Sequence, residues 1–296
     1  MSPPGARWSE SVPLAPLTTW RIGGPARALA EPSTPEEAAE ARRAADLRGW
    51  PVWILGGGSN VLVADQGFPG LVIRYADRRR AIETRGEEAL VQVGSRAPLA
   101  GLARATARAG LRGLQWAEGI PGTVGGAIVG NAGAYGGEIA EALAEVTIVT
   151  PDGRIEQRDA AWLAYGYRTS RLKSLDPSSL VVSARFRLTR DDPAALAAEV
   201  SRIGAERRAR TPVGASCGSV FRNPPGTSAG RLIDLAGCKG LRRGGAVVSE
   251  LHANYILNTG GATARDVREL IEEIRARVGA AFGITLELEI RTIGFS

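Results

Sequence analysis

The chain has 296 residues, which is enough for two domains, and its 44% hydrophobic and 23% charged content is ordinary for a globular protein. No apolar run approaches the roughly 18 residues of a membrane span, and the N-terminus lacks an apolar signal core, so we expect a cytoplasmic protein without a membrane span. The net charge of +6 leaves nucleic acid as a possible partner. We find no zinc finger, long basic arm or RNA-binding aromatic motif, and therefore predict no nucleic-acid partner.

The chain begins with short predicted strands and one helix. Residues 1–17 form an N-terminal extension, of which the first fifteen are expected to be loosely held. A strand over 26–30 follows, and then a helix to about residue 48, opened by an N-cap threonine, a proline and two acids. A strand over 52–55 runs directly into a glycine loop at 56–60.

That first glycine loop consists of Gly56, Gly57, Gly58, Ser59 and Asn60. Several backbone N–H groups and two side-chain dipoles can converge there on one point, which suits a pyrophosphate. The loop is not a P-loop, and the chain contains no G-x-G-x-x-G, which disfavours a Rossmann fold. A simple glycine turn between two strands remains the alternative.

Strands are predicted next at 71–75 and 90–93, and a helix at 98–109 with Ser95 as its cap. The second glycine-rich stretch, Gly119–Gly137, holds eight glycines among nineteen residues and no charge. Because each glycine loses much backbone freedom on ordering, this composition predicts neither a helix nor a central strand. Interleaved apolar residues argue against a flexible linker, so we predict backbone packed against a large, flat or phosphorylated ligand.

The remainder of the chain predicts further strands and helices, with Asp192 and Pro193 opening a helix at a plausible domain boundary. Thr263 and Asp266 have the spacing of a capping box. Apolar residues alternate from Ile284 to Ile293, which predicts one strand. The predicted strands are 146–149, 153–157, 180–188, 247–248, 254–258 and 284–293, and the predicted helices are 193–210, 229–235 and 263–282.

Six motifs follow one another along the chain: TTWRIGG from Thr18, the glycine loop at 56–60, the glycine-rich stretch Gly119–Gly137, YGYR from Tyr165, GSVFRNP from Gly218 and LELEIR from Leu286. With these motifs in this order, the chain resembles the UDP-N-acetylenolpyruvoylglucosamine reductase family over nearly its whole length. The resemblance implies an α+β fold, with an FAD-binding domain of the vanillyl-alcohol-oxidase (PCMH) type at 18–190 and a substrate-binding domain at 191–296.

It also implies non-covalent FAD and NADPH as co-substrate, in the synthesis of a peptidoglycan precursor for the cell wall. The substrate would be a UDP-sugar. By resemblance, the residues that hold the flavin are Gly56, Gly57, Gly58, Ser59, Asn60, Ile120, Pro121, Gly122, Thr123, Gly125, Gly126, Asn131 and Gly133.

The resemblance assigns catalytic roles to three residues. Hydride addition to the enolpyruvyl group drives negative charge toward the neighbouring carboxylate, which Arg168 and Glu289 would flank. Ser219 matches the proton donor. A serine hydroxyl is a weak acid near neutrality, so this role requires neighbours that assist it.

Five further residues match substrate-binding positions: Tyr135, Tyr167, Arg222, Asn223 and Arg291. Arg222 stands where many relatives have lysine, which changes the geometry of a diphosphate contact. The chain has no tyrosine between Tyr167 and Tyr255, so it resembles the family type without an extra tyrosine loop.

Two alternatives to this function stay open. The first is another oxidase or dehydrogenase on the same flavin fold, many of which tether FAD through a histidine, whereas the only histidine here is His252. The second is a basic nucleic-acid-binding protein. A monomer is favoured, and Cys217 and Cys238 lack metal-ligand spacing, so no metal is predicted.

Overall fold

The computed structural model describes residues 7–174 and 178–295. The described strands are β1 (Ser9–Pro13), β2 (Pro25–Ala30), β3 (Val52–Ile54), β4 (Val61–Val63), β5 (Phe68–Ile73), β6 (Arg80–Arg85), β7 (Glu88–Gly94), β8 (Leu111–Arg112), β9 (Gly133–Ala134), β10 (Gly137–Glu138), β11 (Leu143–Val149), β12 (Ile155–Asp159), β13 (Leu180–Arg190), β14 (Arg242–Arg243), β15 (Ala246–Val248), β16 (Ile256–Asn258) and β17 (Arg291–Ile293). The α-helices are α1 (Pro35–Asp46), α2 (Leu99–Arg108), α3 (Val124–Gly130), α4 (Ile139–Ala142), α5 (Arg171–Ser174), α6 (Pro193–Arg210), α7 (Ala229–Leu235) and α8 (Ala264–Phe282). Single 3-10 turns occupy Ala15–Leu17, Gln115–Ala117 and Ala161–Leu163.

The chain forms two compact units. The first contains Ala28–Gly57, Gly70–Arg207 and the described N-terminal residues up to Glu10. The second contains Ser11–Arg27, Gly58–Pro69 and the chain from Arg208 onward. The first unit therefore includes most of α6, and two N-terminal segments belong to the second unit. The domain bounds expected from the sequence, 18–190 and 191–296, stay a prediction.

The core of the first unit lies under a six-stranded sheet with the order β12-β11-β13-β7-β6, in which β8 also pairs with β13. The neighbouring pairs are antiparallel, and Phe186 of β13 stands opposite Val91 of β7. Both side chains are fully buried, together with apolar residues of α2 and α3. A second cluster packs the alanine face of α1 against β5 and β13. The sheet and these helices form the frame that carries the second glycine stretch.

The second unit is built around α8, which packs on the antiparallel sheet β14-β15-β16. The capping box predicted at its start is confirmed, because Asp266 N donates to Thr263 Oγ1 at 3.1 Å and Thr263 N donates to Asp266 Oδ2 at 2.9 Å. At the end of the chain, β17 pairs in parallel with β4, with Arg291 opposite Val61. This pairing joins the residues after the first glycine loop to the C-terminus.

The prediction that Gly119–Gly137 contains no helix was wrong, because α3 lies inside it. Thr123 caps α3 by accepting from Gly126 N at 3.4 Å, and Asn131 ends it in the left-handed conformation at φ 44°. The side chains of Val124 and Ile128 are completely buried. Tertiary packing and two capping residues thus outweigh the low helix propensity of glycine.

Three smaller expectations also changed. Ser95 does not cap α2, whose N-cap position is Pro98; the Ser95 carbonyl instead accepts from Gly125 N. Residues 284–293 do not form one strand, although Leu286 and Ile290 are buried as the alternation predicted. The N-terminal extension is not loose throughout, because Ser9–Pro13 forms β1 at the edge of the sheet β1-β2-β5-β3.

Candidate functional site

In the first unit, the two predicted glycine loops lie directly against each other. A Cβ atom added at Gly57 would stand 2.7 Å from Gly122 Cα, and one added at Gly56 would stand 2.9 Å from Thr123 Oγ1. Any side chain at Gly57 would therefore push backbone against backbone. The close approach of the loops requires glycine at Gly57, whereas a side chain at Gly56 would displace the Thr123 hydroxyl that caps α3. The predicted flavin residues Gly56, Gly57, Gly122 and Thr123 are brought together.

The remaining predicted flavin residues of the second stretch surround α3. Gly125 packs closely on Ser95, since an added Cβ would be 2.9 Å from Ser95 Cβ. Gly126 is exposed, and at this position a Cβ would meet only Thr123 Oγ1, at 3.6 Å. Ile120 is half-buried against the core of the first unit, and Pro121 is exposed.

Asn131 connects the second glycine stretch to two other segments of the first unit. Its side chain is 1% exposed, and it both donates to Gly166 O at 3.2 Å and accepts from Ala140 N at 3.1 Å. Both ends of the amide are thus occupied by the protein backbone. Asn131 fixes the position of the YGYR segment relative to the glycine stretch.

Arg168 lies beside the same stretch. Its guanidinium donates to Gly133 O at 2.6 Å and to Asn131 O at 3.5 Å, and it stands 5.6 Å from the ring centroid of Tyr167. Arg168 and Tyr135 both have left-handed backbone, with φ of 55° and 51°, a conformation that is uncommon outside glycine and that clusters at functional sites. Tyr167 and Tyr135 are exposed. The first unit therefore groups Asn131, Gly133, Tyr135, Tyr167 and Arg168.

The last three residues of the first glycine loop belong to the second unit. Gly58 has φ of 66°, and an added Cβ would be 2.1 Å from Leu17 O. Its carbonyl accepts from Thr19 N at 3.0 Å. Asn60 Nδ2 donates to Glu289 O at 3.1 Å, and Asn60 O accepts from Arg291 N at 3.0 Å. Asn60 thereby joins the loop to the predicted residues Glu289 and Arg291, and Ser59 lies between Gly58 and Asn60.

Ser219 lies on a loop of the second unit next to Glu289. Glu289 N donates to Val220 O at 2.9 Å, and Gly218 precedes the serine with φ of 82°. Asn254, which is 3% exposed, clamps the other side of this loop. Its amide accepts from Phe221 N at 2.9 Å and donates to Phe221 O at 2.8 Å, while its carbonyl accepts from Val220 N at 2.9 Å.

Three further groups define the electrostatics of the second unit. Arg222 lies 3.8 Å from Glu287, so its charge has a carboxylate nearby. Burial lowers the pKa of Arg291. Burial, together with the charge of Glu289, raises the pKa of Cys217, so this thiol stays protonated near neutral pH.

Asn223 is exposed, and its side-chain oxygen accepts from Ala229 N at 3.0 Å.

Comparison with known proteins identifies the family. A model described as an FAD binding domain matches residues 26–158, and one described as UDP-N-acetylenolpyruvoylglucosamine reductase, C-terminal domain, matches residues 210–293. A UDP-N-acetylenolpyruvoylglucosamine reductase of Chloroflexus aurantiacus is 49% identical, over 95% of this chain and 96% of the relative. The chain belongs to the UDP-N-acetylenolpyruvoylglucosamine reductase family. The reductase of Rubrobacter xylanophilus is 45% identical, over 98% of this chain and 96% of that protein.

A solved structure agrees with this family. The crystal structure of UDP-N-acetylenolpyruvylglucosamine reductase from Thermus caldophilus superposes with a TM-score of 0.82, at 38% identity, covering 97% of this chain and 99% of that chain. The predicted α+β fold, with an FAD-binding domain and a C-terminal domain of the reductase family, is confirmed. The chain is an oxidoreductase and a flavoprotein.

The residues of the first unit fit the FAD of this reductase family. At Gly56 and Gly57 an added Cβ would run into the second glycine stretch, so these two positions present backbone groups only.

Across residues 7–174 and 178–295, no helix is long and apolar enough to cross a membrane. In the same ranges, no three His, Cys, Asp or Glu residues are grouped so that they could hold a metal ion.

The sequence does not reveal Asn254 as the residue that fixes the loop of Ser219. The sequence pattern predicts only a strand piece there, beside His252, because an asparagine carries no signal for a long-range side-chain hydrogen bond. Its partner Phe221 lies 33 positions away in the chain. The GSVFRNP motif itself was the only clue that this loop needs fixing.

Proposed function

We propose that this chain reduces the enolpyruvyl group of UDP-N-acetylglucosamine enolpyruvate to give UDP-N-acetylmuramate, with NADPH as the source of the hydride. Membership of the reductase family and the match to an FAD-binding domain support the reaction. The observation that supports our assignment of residues is the hydrogen bond of 2.9 Å from Glu289 N to Val220 O, because it places the serine loop beside the glutamate.

FAD, when bound, supplies the hydride that adds to the terminal carbon of the enolpyruvyl group. Negative charge then develops on the substrate carboxylate as an enolate. The guanidinium of Arg168 is held in place by hydrogen bonds to Gly133 O and Asn131 O. We assign it to stabilise this enolate, because preoriented charge costs no reorganisation when the reaction occurs.

We assign Ser219 as the donor of the proton to the carbon next to the carboxylate, and Glu289 as its neighbour at the substrate carboxylate. The loop of Ser219 is fixed on both sides, by Glu289 N and by Asn254. Such fixation keeps a weak acid at one position, which is the geometric requirement for general acid catalysis. Tyr135, Tyr167, Arg222, Asn223 and Arg291 are assigned to bind the UDP-sugar.

The test separates the two half-reactions. In an anaerobic stopped-flow experiment, NADPH should bleach the flavin absorbance, and the enolpyruvyl sugar nucleotide should restore it. Ser219→Ala should leave the bleaching step within about twofold and slow the recovery by about 10²–10⁴-fold, the usual contribution of a general acid. Ser216→Ala, on the same polar loop, is the matched control and should change neither step.

Equal loss of both steps in Ser219→Ala would make this residue structural. Failure of the wild-type flavin to be reoxidised by the sugar nucleotide would overturn the proposed reaction and favour another oxidase on the flavin fold. Acid precipitation checks the flavin linkage, since non-covalent FAD should be released into the supernatant. Retention of the colour in the pellet would indicate a covalent link.

We further propose that the enzyme works as a monomer in the cytoplasm and binds no nucleic acid. Light scattering after size-exclusion chromatography should give the mass of one chain, 31.0 kDa. The yellow colour should remain with the protein in high salt, and nucleic acid should be absent from the purified sample. A stable dimer, or co-purifying nucleic acid that resists salt, would contradict these assignments.

A further inference from the structure

Arg96 is a buried cation at the first glycine loop. The residue follows β7 and is 9% exposed, and its Nη1 donates to Gly56 O at 3.1 Å. Its backbone N–H donates to Asp77 O at 2.9 Å, so the segment is fixed as well. The side chain therefore reaches the loop at which Gly56 and Gly57 pack against Gly122 and Thr123.

The surroundings of Arg96 contain more positive than negative charge. Burial lowers the pKa of the Arg96 guanidinium, and the charges of Arg74 and Arg78 lower it further. Arg74 has its own partner, since it forms an ion pair of 3.2 Å with Glu31. Among residues 7–174 and 178–295, no carboxylate forms an ion pair with Arg96.

A buried guanidinium whose one side-chain acceptor is a carbonyl loses hydration without gaining a counter-charge. Such a residue destabilises the chain unless an anion binds beside it. The first glycine loop has no side chain at Gly57, where close contacts exclude one. An anion that binds there must therefore accept hydrogen bonds from backbone N–H groups, as a phosphate does.

We propose that Arg96 binds a phosphate of the FAD diphosphate and, through Gly56 O, holds the first glycine loop in the shape that receives it. This inference rests on the FAD-binding domain matched at residues 26–158, and it is independent of the roles assigned to Arg168, Ser219 and Glu289. UDP and NADPH also carry a diphosphate. Arg96 is assigned to FAD because it bonds to Gly56 of the first unit, within the matched FAD-binding domain.

The experiment measures ligand binding to apoprotein from which the flavin has been removed. Arg96→Gln should weaken FAD binding on the order of 10- to 100-fold, as expected for the loss of a charged hydrogen-bonding partner. Arg96→Lys keeps the charge without the planar fork and should lose less. Arg78→Gln is the matched control, because it removes an exposed charge from the same neighbourhood and should change the affinity by less than about twofold.

Riboflavin distinguishes phosphate recognition from general damage to the loop. It has the same ring system but no phosphate, so its affinity should change by less than about twofold in Arg96→Gln if the lost contact is electrostatic. The apoprotein of this variant should unfold at or above the wild-type temperature, while the stabilisation by added FAD becomes smaller.

Three results would overturn the proposal. Equal loss of FAD and riboflavin binding with a less stable apoprotein would make Arg96 a structural residue only. Unchanged FAD affinity in both Arg96 variants would remove any role in FAD binding. Selective loss of UDP or NADPH binding in holoenzyme titrations would assign the residue to another diphosphate. If Arg96→Gln does not fold, Arg96→Lys carries the same comparison of FAD with riboflavin.

Discussion

Asn131 and Asn254 are both buried asparagines that hold a loop of the candidate site, but they act in different settings. Asn131 ends a glycine-rich helix in the left-handed conformation and connects Gly166 to Ala140. Asn254 clamps both backbone groups of one residue, Phe221, in the loop that carries Ser219. The first unit thus combines a side-chain link with close contacts between its two glycine loops, whereas the loop of Ser219 in the second unit is fixed by a side chain and by backbone hydrogen bonds.

We propose a physical reason for this difference, based on the roles assigned above. A flat, phosphorylated cofactor is met well by bare backbone, which Gly56 and Gly57 provide in the first glycine loop. Protonation of a substrate carbon needs one group at one position, and a side-chain clamp supplies that position. We therefore expect substitutions in the two units to affect different measurements.

The largest expected effect is at Gly57. Gly57→Ala places a Cβ 2.7 Å from Gly122 Cα, so one backbone must move, and the cost is about 3 kcal/mol. FAD affinity should fall on the order of 100-fold, measured by flavin fluorescence on adding FAD to apoprotein. The control is Gly130→Ala in α3, where an added Cβ meets nothing within 4 Å.

Gly130→Ala should bind FAD as the wild type does and should raise the thermal unfolding midpoint, because alanine favours a helix by up to about 1 kcal/mol. Equal FAD loss in both variants would show that the stretch tolerates no change at all. Unchanged FAD binding in Gly57→Ala would show that FAD binding does not depend on the close backbone contact between the two glycine loops.

An intermediate effect is expected at the two asparagines. Asn254→Ala leaves Phe221 N and O without their side-chain partner in a residue that is 1% exposed, which should cost about 2 kcal/mol in the free energy of unfolding. The reoxidation of flavin by substrate should slow more than its reduction by NADPH. Asn131→Ala should cost a similar amount of stability, but its measurable effect should be on FAD affinity.

Denaturant unfolding and the two half-reactions check this pair of variants. If both variants weaken FAD binding equally and change both half-reactions alike, the separate assignment of Asn131 to FAD binding and of Asn254 to the loop of Ser219 is wrong. Asn131→Gly helps the interpretation, because glycine adopts φ of 44° without strain, so that only the hydrogen bonds are lost.

The smallest effect concerns His252 in the second unit. Burial lowers its pKa, and its Nδ1 accepts from Asn254 N at 3.2 Å, which requires the neutral ring. Because the unfolded chain binds the proton more readily, stability should fall as the pH falls below the ordinary histidine pKa of about 6.5. The loss is complete once the pH is below the folded pKa.

His252→Asn removes this titration. The free energy of unfolding, measured between pH 7.5 and 5.5, should then fall less steeply than in the wild type, by at most about 1.4 kcal/mol per pH unit. The same slope in both proteins would show that His252 contributes no pH dependence, and that the Asn254 clamp is insensitive to its neighbour.

Much of the fold was predictable because local signals agreed with the tertiary structure. The start of α8 follows from the spacing of Thr263 and Asp266, and α7 from its apolar pattern. The helix α3 was not predictable from propensity, because it depends on the burial of Val124 and Ile128. The local sequence does not reveal such packing, because it depends on residues elsewhere in the chain.

The candidate site divides in the same way. Motifs in the chain indicated Gly57, Arg168 and Ser219, since glycine loops and family patterns are local. Asn254 and Arg96 were missed because their partners, Phe221 and Gly56, lie 33 and 40 positions away. Only the folded chain shows which polar side chains are buried and what they hold. The assignments of individual site residues stay predictions.

The parallel pairing of β17 with β4 has a consequence for the order of folding. The partner of Val61–Val63 is Arg291–Ile293, so this pairing closes a loop over most of the sequence. Contacts so far apart in sequence form slowly, because the entropy of loop closure must be lost first. Asn60, just before β4, accepts its hydrogen bond from Arg291 N only when this loop has closed. The second half of the first glycine loop is therefore completed late in folding, and refolding chains should bind FAD only after that step.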